Sequence, residues 1–276
     1  MSHVMVIAEH TAREAYRRRL VWLGLGLGAA FLAVYGIGLH YISIDISRYA
    51  SGSALYADGG FGMVTMSAYY VVSFLGSVLA VLVGAGGLSA EIASHAMQSL
   101  AARPVRRFAI VLGRWLGLAA LLTSFVVVLA AGVAGVTWLV TGYTPLRLPA
   151  GVALLVLQSL IMLSIAMAAS ARLSTMACGV LGFMLYGLAF VGGWIEQFAW
   201  VAQNQAAMDV GVISSLLVPS EAMWKLAAHL MQPPVLVAIG PFSVGNTPST
   251  AMLIYAILYV LACVALAVRL FATRDL

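Results

Sequence analysis

Residues 88–117 read LSAEIASHAMQSLAARPVRRFAIVLGRWLG. Glu91, His95, Arg103, Pro104, Arg106, Arg107 and Arg114 break a chain that is apolar for long runs on either side. Charges are costly inside a bilayer. The stretch therefore reads as a short polar helix followed by a basic turn, lying at a membrane surface between two spans. Such an element is a handle that a soluble partner can grip.

The remainder of the chain agrees. Of its 276 residues, 63% are hydrophobic and 8% charged, against roughly 25% charged in soluble domains. The expected class is an all-α, polytopic membrane protein. Strands are a poor alternative, because barrel strands alternate apolar and polar residues, whereas these runs are continuously apolar. A spanning helix needs about 20 mostly apolar residues. Six segments qualify: 20–44, 62–88, 108–140, 150–170, 174–200 and 249–270. The N-terminal apolar run is longer than a signal-peptide core of roughly 7–15 residues, so it is expected to remain as the first span.

Orientation follows from the placement of Arg and Lys. With the N-terminus in the cytoplasm, the inner segments carry Arg13, Arg17, Arg18, Arg19, Arg103, Arg106, Arg107, Arg114, Arg172, Arg269 and Arg274; the outer ones carry Arg48, Arg147 and Lys225. Both termini are then cytoplasmic. The same bias accounts for a net charge of +5 without nucleic-acid binding, and the basic clusters serve equally well as topology signals.

Outside the spans, residues 1–19 are expected to form a cytoplasmic interfacial helix, with Val4, Ile7, Thr11 and Ala15 on one face and Arg13, Arg17 and Arg18 available at the surface. Residues 89–107 form the polar helix and basic turn. Residues 201–248 are external and half apolar. Within them SSLLVPSEAMWKLAAHLM suggests an amphipathic helix starting at Ser220, with short helices dipping into the outer leaflet. Pro149 suits the first turn of the fourth span.

Several chemistries are excluded. No GxxxxGK[ST] loop occurs, and the only lysine, Lys225, cannot belong to one. Gly24, Gly26 and Gly28 lack dinucleotide-motif spacing, and HExxH and GxSxG are absent. The five histidines are scattered, and Cys178 and Cys263 lie in separate spans. No metal site and no catalytic site is expected. Met63 and Met66 offer thioethers to Cu(I) or, more simply, pack between helices. Gly24 and Gly28 in the first span, and Gly179 and Gly182 in the fifth, permit close helix approach within one subunit or between two.

The order of elements resembles the ABC-2 exporter superfamily (the type V exporter architecture). The features carrying the resemblance are Glu91 after the second span, Leu100, Pro104 and Arg107 in the Leu-x-x-x-Pro-x-x-Arg stretch, and Gly113–Arg114 at the start of the third. The basic N-terminal helix, the Ser170…Ser174–Thr175 turn and the Pro219–Ser220 helix start agree with it. In style the chain is closest to the multicopper-enzyme-maturation branch, which includes the permease for nitrous oxide reductase assembly. It departs at Ser94–His95–Ala96, where many members have Gly-Thr. The resemblance implies a permease that is not itself an enzyme. It would form a homodimer through spans one and five and bind two copies of a cytoplasmic ABC ATPase that carries the ATP and Mg. Glu91, His95, Gln98, Arg103, Arg106 and Arg107 would form the coupling surface, with Glu91 capping the first turn of the polar helix or pairing with Arg106 or Arg107. It further implies a bacterial or archaeal cytoplasmic (inner) membrane, lipid contact and an accessory protein on the periplasmic side. The alternative is an ATP-independent secondary carrier or channel; a third, weaker reading is an intramembrane enzyme or assembly factor.

Overall fold

The computed structural model describes residues 3–17, 19–49, 54–93, 107–232 and 248–273. The described residues form helices α1 (His3–Arg17), α2 (Arg19–Tyr49), α3 (Ala54–Ala93), α4 (Arg107–Thr141), α5 (Leu148–Ser170), α6 (Thr175–Val201), α7 (Gln205–Leu217), α8 (Ser220–Met231) and α9 (Thr250–Ala272). Six are long and apolar enough to cross a membrane: Val21–Ile46, Asp58–Leu88, Phe108–Thr141, Leu148–Ser170, Thr175–Val201 and Thr250–Ala272.

Helix ends follow local sequence chemistry. Gly142, at φ 72°, closes α4 by donating its N–H to Trp138 O at 2.9 Å, a left-handed C-terminal cap that glycine adopts without a Cβ penalty. Pro149 falls in the first turn of α5. Ser174 and Asn204 cap α6 and α7, accepting from the N–H groups of Ala177 and Ala207.

α5 is the hub, packed against α3, α4, α6, α8 and α9. It meets α3 closely at Gly84: a Cβ there would lie 2.7 Å from Ala166 Cβ and 3.2 Å from the Leu163 carbonyl. Small residues allow this approach in a membrane, where helices gain no hydrophobic drive from one another. Polar side chains add interhelical bonds. Ser73 donates to Gln158 Oε1 at 3.0 Å, and Gln158 Nε2 donates to Ser77 at 3.4 Å. Tyr35 and Thr137 share a hydrogen bond of 2.7 Å, and Trp115 donates to Ser164 at 2.9 Å. A Gln158→Leu variant is expected to lose about 0.6–1.7 kcal/mol, read as a small fall in thermal unfolding temperature in detergent.

The chain alternates between two ends of the bundle. At one end lie α1, the close of α3, the start of α4 and the α5–α6 turn, where Arg172 donates to Thr273 Oγ1 at 2.7 Å. At the other lie α7 and α8, which meet at 105°. Tyr255 and Tyr259 of α9 donate to the carbonyls of Leu216 and Leu217, so α9 starts at the end where α6 finishes. The α7–α8 pair is therefore a hairpin on one side of the bundle and not a seventh crossing.

Candidate functional site

At the first end, α1 lies against α4. The face expected from the sequence is the one that packs: Thr11 is buried, while Glu9 and Arg13 are exposed and form an i,i+4 ion pair of 2.5 Å, of little energetic weight at a solvated surface. Two glycines set the distance. A Cβ at Gly117 would fall 2.6 Å from the Ala8 carbonyl oxygen and 3.2 Å from the Ala12 nitrogen; one at Gly113 would fall 2.9 Å from the Val4 carbonyl. These are backbone atoms, so α1 sits on α4 at a separation only glycine permits.

Arg114 lies between those two glycines and reaches α3. Its side chain, 6% exposed, donates to the carbonyl of Gly87 in the last turns of α3. The start of α4 thus holds α1 on one face and the end of α3 on another. Residues 94–106 connect these two helices in sequence.

Of the coupling residues expected from the sequence, Glu91 and Arg107 lie on the described helices α3 and α4. His95, Gln98, Arg103 and Arg106 lie outside the described residues, as do Arg18 and the Ser94–His95–Ala96 departure. Arg107 opens α4 and Arg17 closes α1. Glu91 requires a correction: it lies in the last turn of α3, which runs unbroken to Ala93, and does not begin a separate helix. A residue inside a continuous helix caps no first turn, so Glu91 is not the N-terminal cap expected from the sequence.

The glycines divide. Gly24 faces Leu79 and Phe125, and a Cβ at Gly28 would meet Leu129 at 2.7 Å; both pack α2 against helices of its own chain. Gly182 faces Val81 of α3, while nothing lies within 4 Å of a Cβ at Gly179. The outward seam of α2 is instead Leu23, Leu27, Ala30, Val34, Ile37 and Tyr41, all exposed and alternating four and three apart, the spacing that meshes with another helix. On α6 the exposed Val180, Met184, Val191 and Phe198 follow the same rule. Met63 is exposed and Met66 fully buried, so the two thioethers do not converge.

The opposite end holds a constellation that the sequence does not reveal. Lys225 Nζ and Glu196 Oε2 are 2.6 Å apart. Glu221, four residues before Lys225 on α8, is 5% exposed and packs against Gly193. Burial pushes its carboxyl up to about 7, with Lys225 opposing the rise and Glu196 adding to it. The amphipathic helix expected here is corrected accordingly: α8 buries its charged side as well as its apolar one. The i,i+4 spacing of Glu221 and Lys225 was a readable signal; the approach of Glu196 from α6 was not. Among the described residues, no group of three His, Cys, Asp or Glu side chains is placed to hold a metal ion.

A family model described as ABC-2 family transporter protein matches residues 5–276. The chain belongs to the ABC-2 transporter family. Permeases of this family are membrane transport components and generally work with an ATPase subunit. No curated protein matches the chain. For an ABC-2 permease, the junction of α1, α3 and α4 is the candidate contact zone, because it joins the N-terminal helix and a buried arginine strut at the two helix ends that the polar 94–106 segment links in sequence.

Proposed function

We propose that this permease forms the substrate pathway of an ATP-driven exporter. It acts as a homodimer with two copies of a cytoplasmic ABC ATPase, which bind the ATP and Mg. The observation that carries the reading is the near-complete family match on a six-span chain whose sequence contains no phosphate-binding loop of its own. The excess of arginine at the end bearing α1 supports a cytoplasmic assignment of that end and of both termini, in a bacterial or archaeal inner membrane. Glu91, His95, Gln98, Arg103, Arg106 and Arg107 are the proposed docking surface. Nucleotide-driven closure would push on residues 94–106, and Arg114 would pass that push from α4 to α3 through Gly87. The exposed seams of α2 and α6 are the faces offered to a second copy. The resemblance to the multicopper-maturation branch favours a cargo used in metalloenzyme assembly, with an accessory protein outside.

Co-expression with an ABC ATPase subunit from the same organism tests the reading. The two chains are expected to co-purify, with ATPase activity altered by the permease and that coupling weakened in Glu91→Ala and Arg107→Ala. Transport by the purified permease alone along an ion gradient would replace this reading with that of a secondary carrier.

A further inference from the structure

Beside the Glu196–Lys225 pair lies a cavity of about 220 Å³, framed by α6, α7, α8 and the start of α9. Its lining is chemically mixed. Glu196 and Lys225 are the charged groups, Ser215 and Ser249 supply hydroxyls, and Val212, Leu216 and Met252 are apolar.

Three features of this lining are unsatisfied. Glu196 receives Lys225 on Oε2, which leaves Oε1 without a hydrogen-bond donor among the described residues. Ser215 lines the cavity and is 8% exposed, yet its hydroxyl has no hydrogen-bond partner among the described residues. Ser249 precedes the 23-residue α9 without a side-chain cap, so the N–H groups of Thr250 and Ala251 have no capping side chain among the described residues. Lys225 keeps further N–H donors beyond the one given to Glu196. The cavity thus offers an acceptor for a cation at Glu196 and, beside it, donors for an anion at Lys225, Ser215 and the α9 N-terminus. With Glu221 behind Lys225, one ammonium serves the buried Glu221 and the partly buried Glu196. That imbalance is relieved by a ligand that brings an ammonium of its own.

We infer that this cavity binds a phosphoethanolamine-type head group, its primary ammonium on Glu196 and its phosphate on Lys225, Ser215 and the open N-terminus of α9. The apolar wall leads out to Val212 and Leu216, and the neighbouring Ile213 and Leu217 are exposed as well, a surface along which an acyl chain can lie. A choline head carries no N–H for Glu196 Oε1, and a glycerol head carries no cation at all. The site is independent of the ATPase, so its failure and that of the exporter reading are separate results.

The test is native mass spectrometry of the full chain offered phosphatidylethanolamine, phosphatidylcholine and phosphatidylglycerol at equal mole fraction. Retention of the ethanolamine lipid is expected to exceed that of either competitor by about tenfold, the worth of one charge-assisted hydrogen bond. Met252→Trp, which fills the cavity, and Glu196→Gln, which keeps the shape and the contact with Lys225, are each expected to abolish the preference. Displacement by soluble glycerophosphoethanolamine would assign the site to the free head group; resistance to displacement would assign it to the lipid. Equal retention of phosphatidylglycerol, or a preference surviving both substitutions, would overturn the inference.

Discussion

Lys225→Met will lower the stability of the permease by about 3–5 kcal/mol at pH 8, the usual result of removing one member of a buried ion pair. Lys225 is 9% exposed, and among the described residues its ammonium is the cation that faces both Glu196 and Glu221. Methionine fills the space of the stem but leaves two carboxylates facing each other in a poorly solvated pocket. The deficit is pH-dependent. The Glu221 carboxyl is raised from 4.5 to about 7 in the folded chain, so its contribution to stability is fully present below pH 4.5. It is lost as the pH climbs through 7, a change on the order of 3 kcal/mol. Without the ammonium, the folded-state value rises further and the loss deepens on the alkaline side. Thermal unfolding in detergent, followed by circular dichroism, is therefore expected to show the variant nearest to the parent at pH 5 and furthest from it at pH 8. Glu221→Gln, which keeps the shape and removes the charge, is expected to flatten the profile of the parent and raise its stability at pH 8. An identical deficit at both pH values would show that the cluster is solvated.

The spans were legible because bilayer burial demands long apolar runs, and some runs also carried boundary signals, such as Gly142 after α4 or Ser174 before α6. The packing face of α1 was legible for a similar reason: Val4, Ile7 and Thr11, which recur at helical spacing, are among the residues set against α4. Polar contacts between helices were not. Gln158 reads as a solitary amide in an apolar run until α3 brings Ser73 and Ser77 to it. Glu196 and Lys225 meet across 29 residues of chain, and no periodicity encodes that meeting. Glycine identity was visible, but which neighbour each glycine faces was not: Gly24 and Gly28 suited a contact between subunits as well as one within a subunit. The structure turns both toward helices of their own chain. The end of α3 was misread because polar residues imply a surface but not a break in the helix, and Ser89–Ala93 continue the turn in which Glu91 sits.

Gly117→Leu will lift α1 from α4 without unfolding the spans. A Cβ at this position would meet the Ala8 carbonyl oxygen at 2.6 Å, Thr11 Cβ at 2.8 Å and the Ala12 nitrogen at 3.2 Å. A flexible side chain can swing away from such a contact; two backbone atoms of a helix can do so only if the helix moves as a unit. The neighbouring Arg114 points toward Gly87 on a different face, so the strut between α3 and α4 is left in place and the lesion is confined to α1. Spin labels on the exposed Glu9 and on α4 are expected to report a longer, broader distance distribution in the variant, with the helical content of the chain retained. If α1 takes part in coupling the ATPase to the spans, stimulation will fall by about 2- to 30-fold, the range covered by mutations that touch neither ligand but alter the element between them. Gly117→Ala, a smaller intrusion at the same contact, should give a graded version of both effects. Arg114→Met should instead leave α1 seated and reduce coupling through α3. Loss of coupling in Arg114→Met with none in Gly117→Leu would assign transmission to the α3–α4 strut alone, with α1 holding the bundle together at the membrane surface.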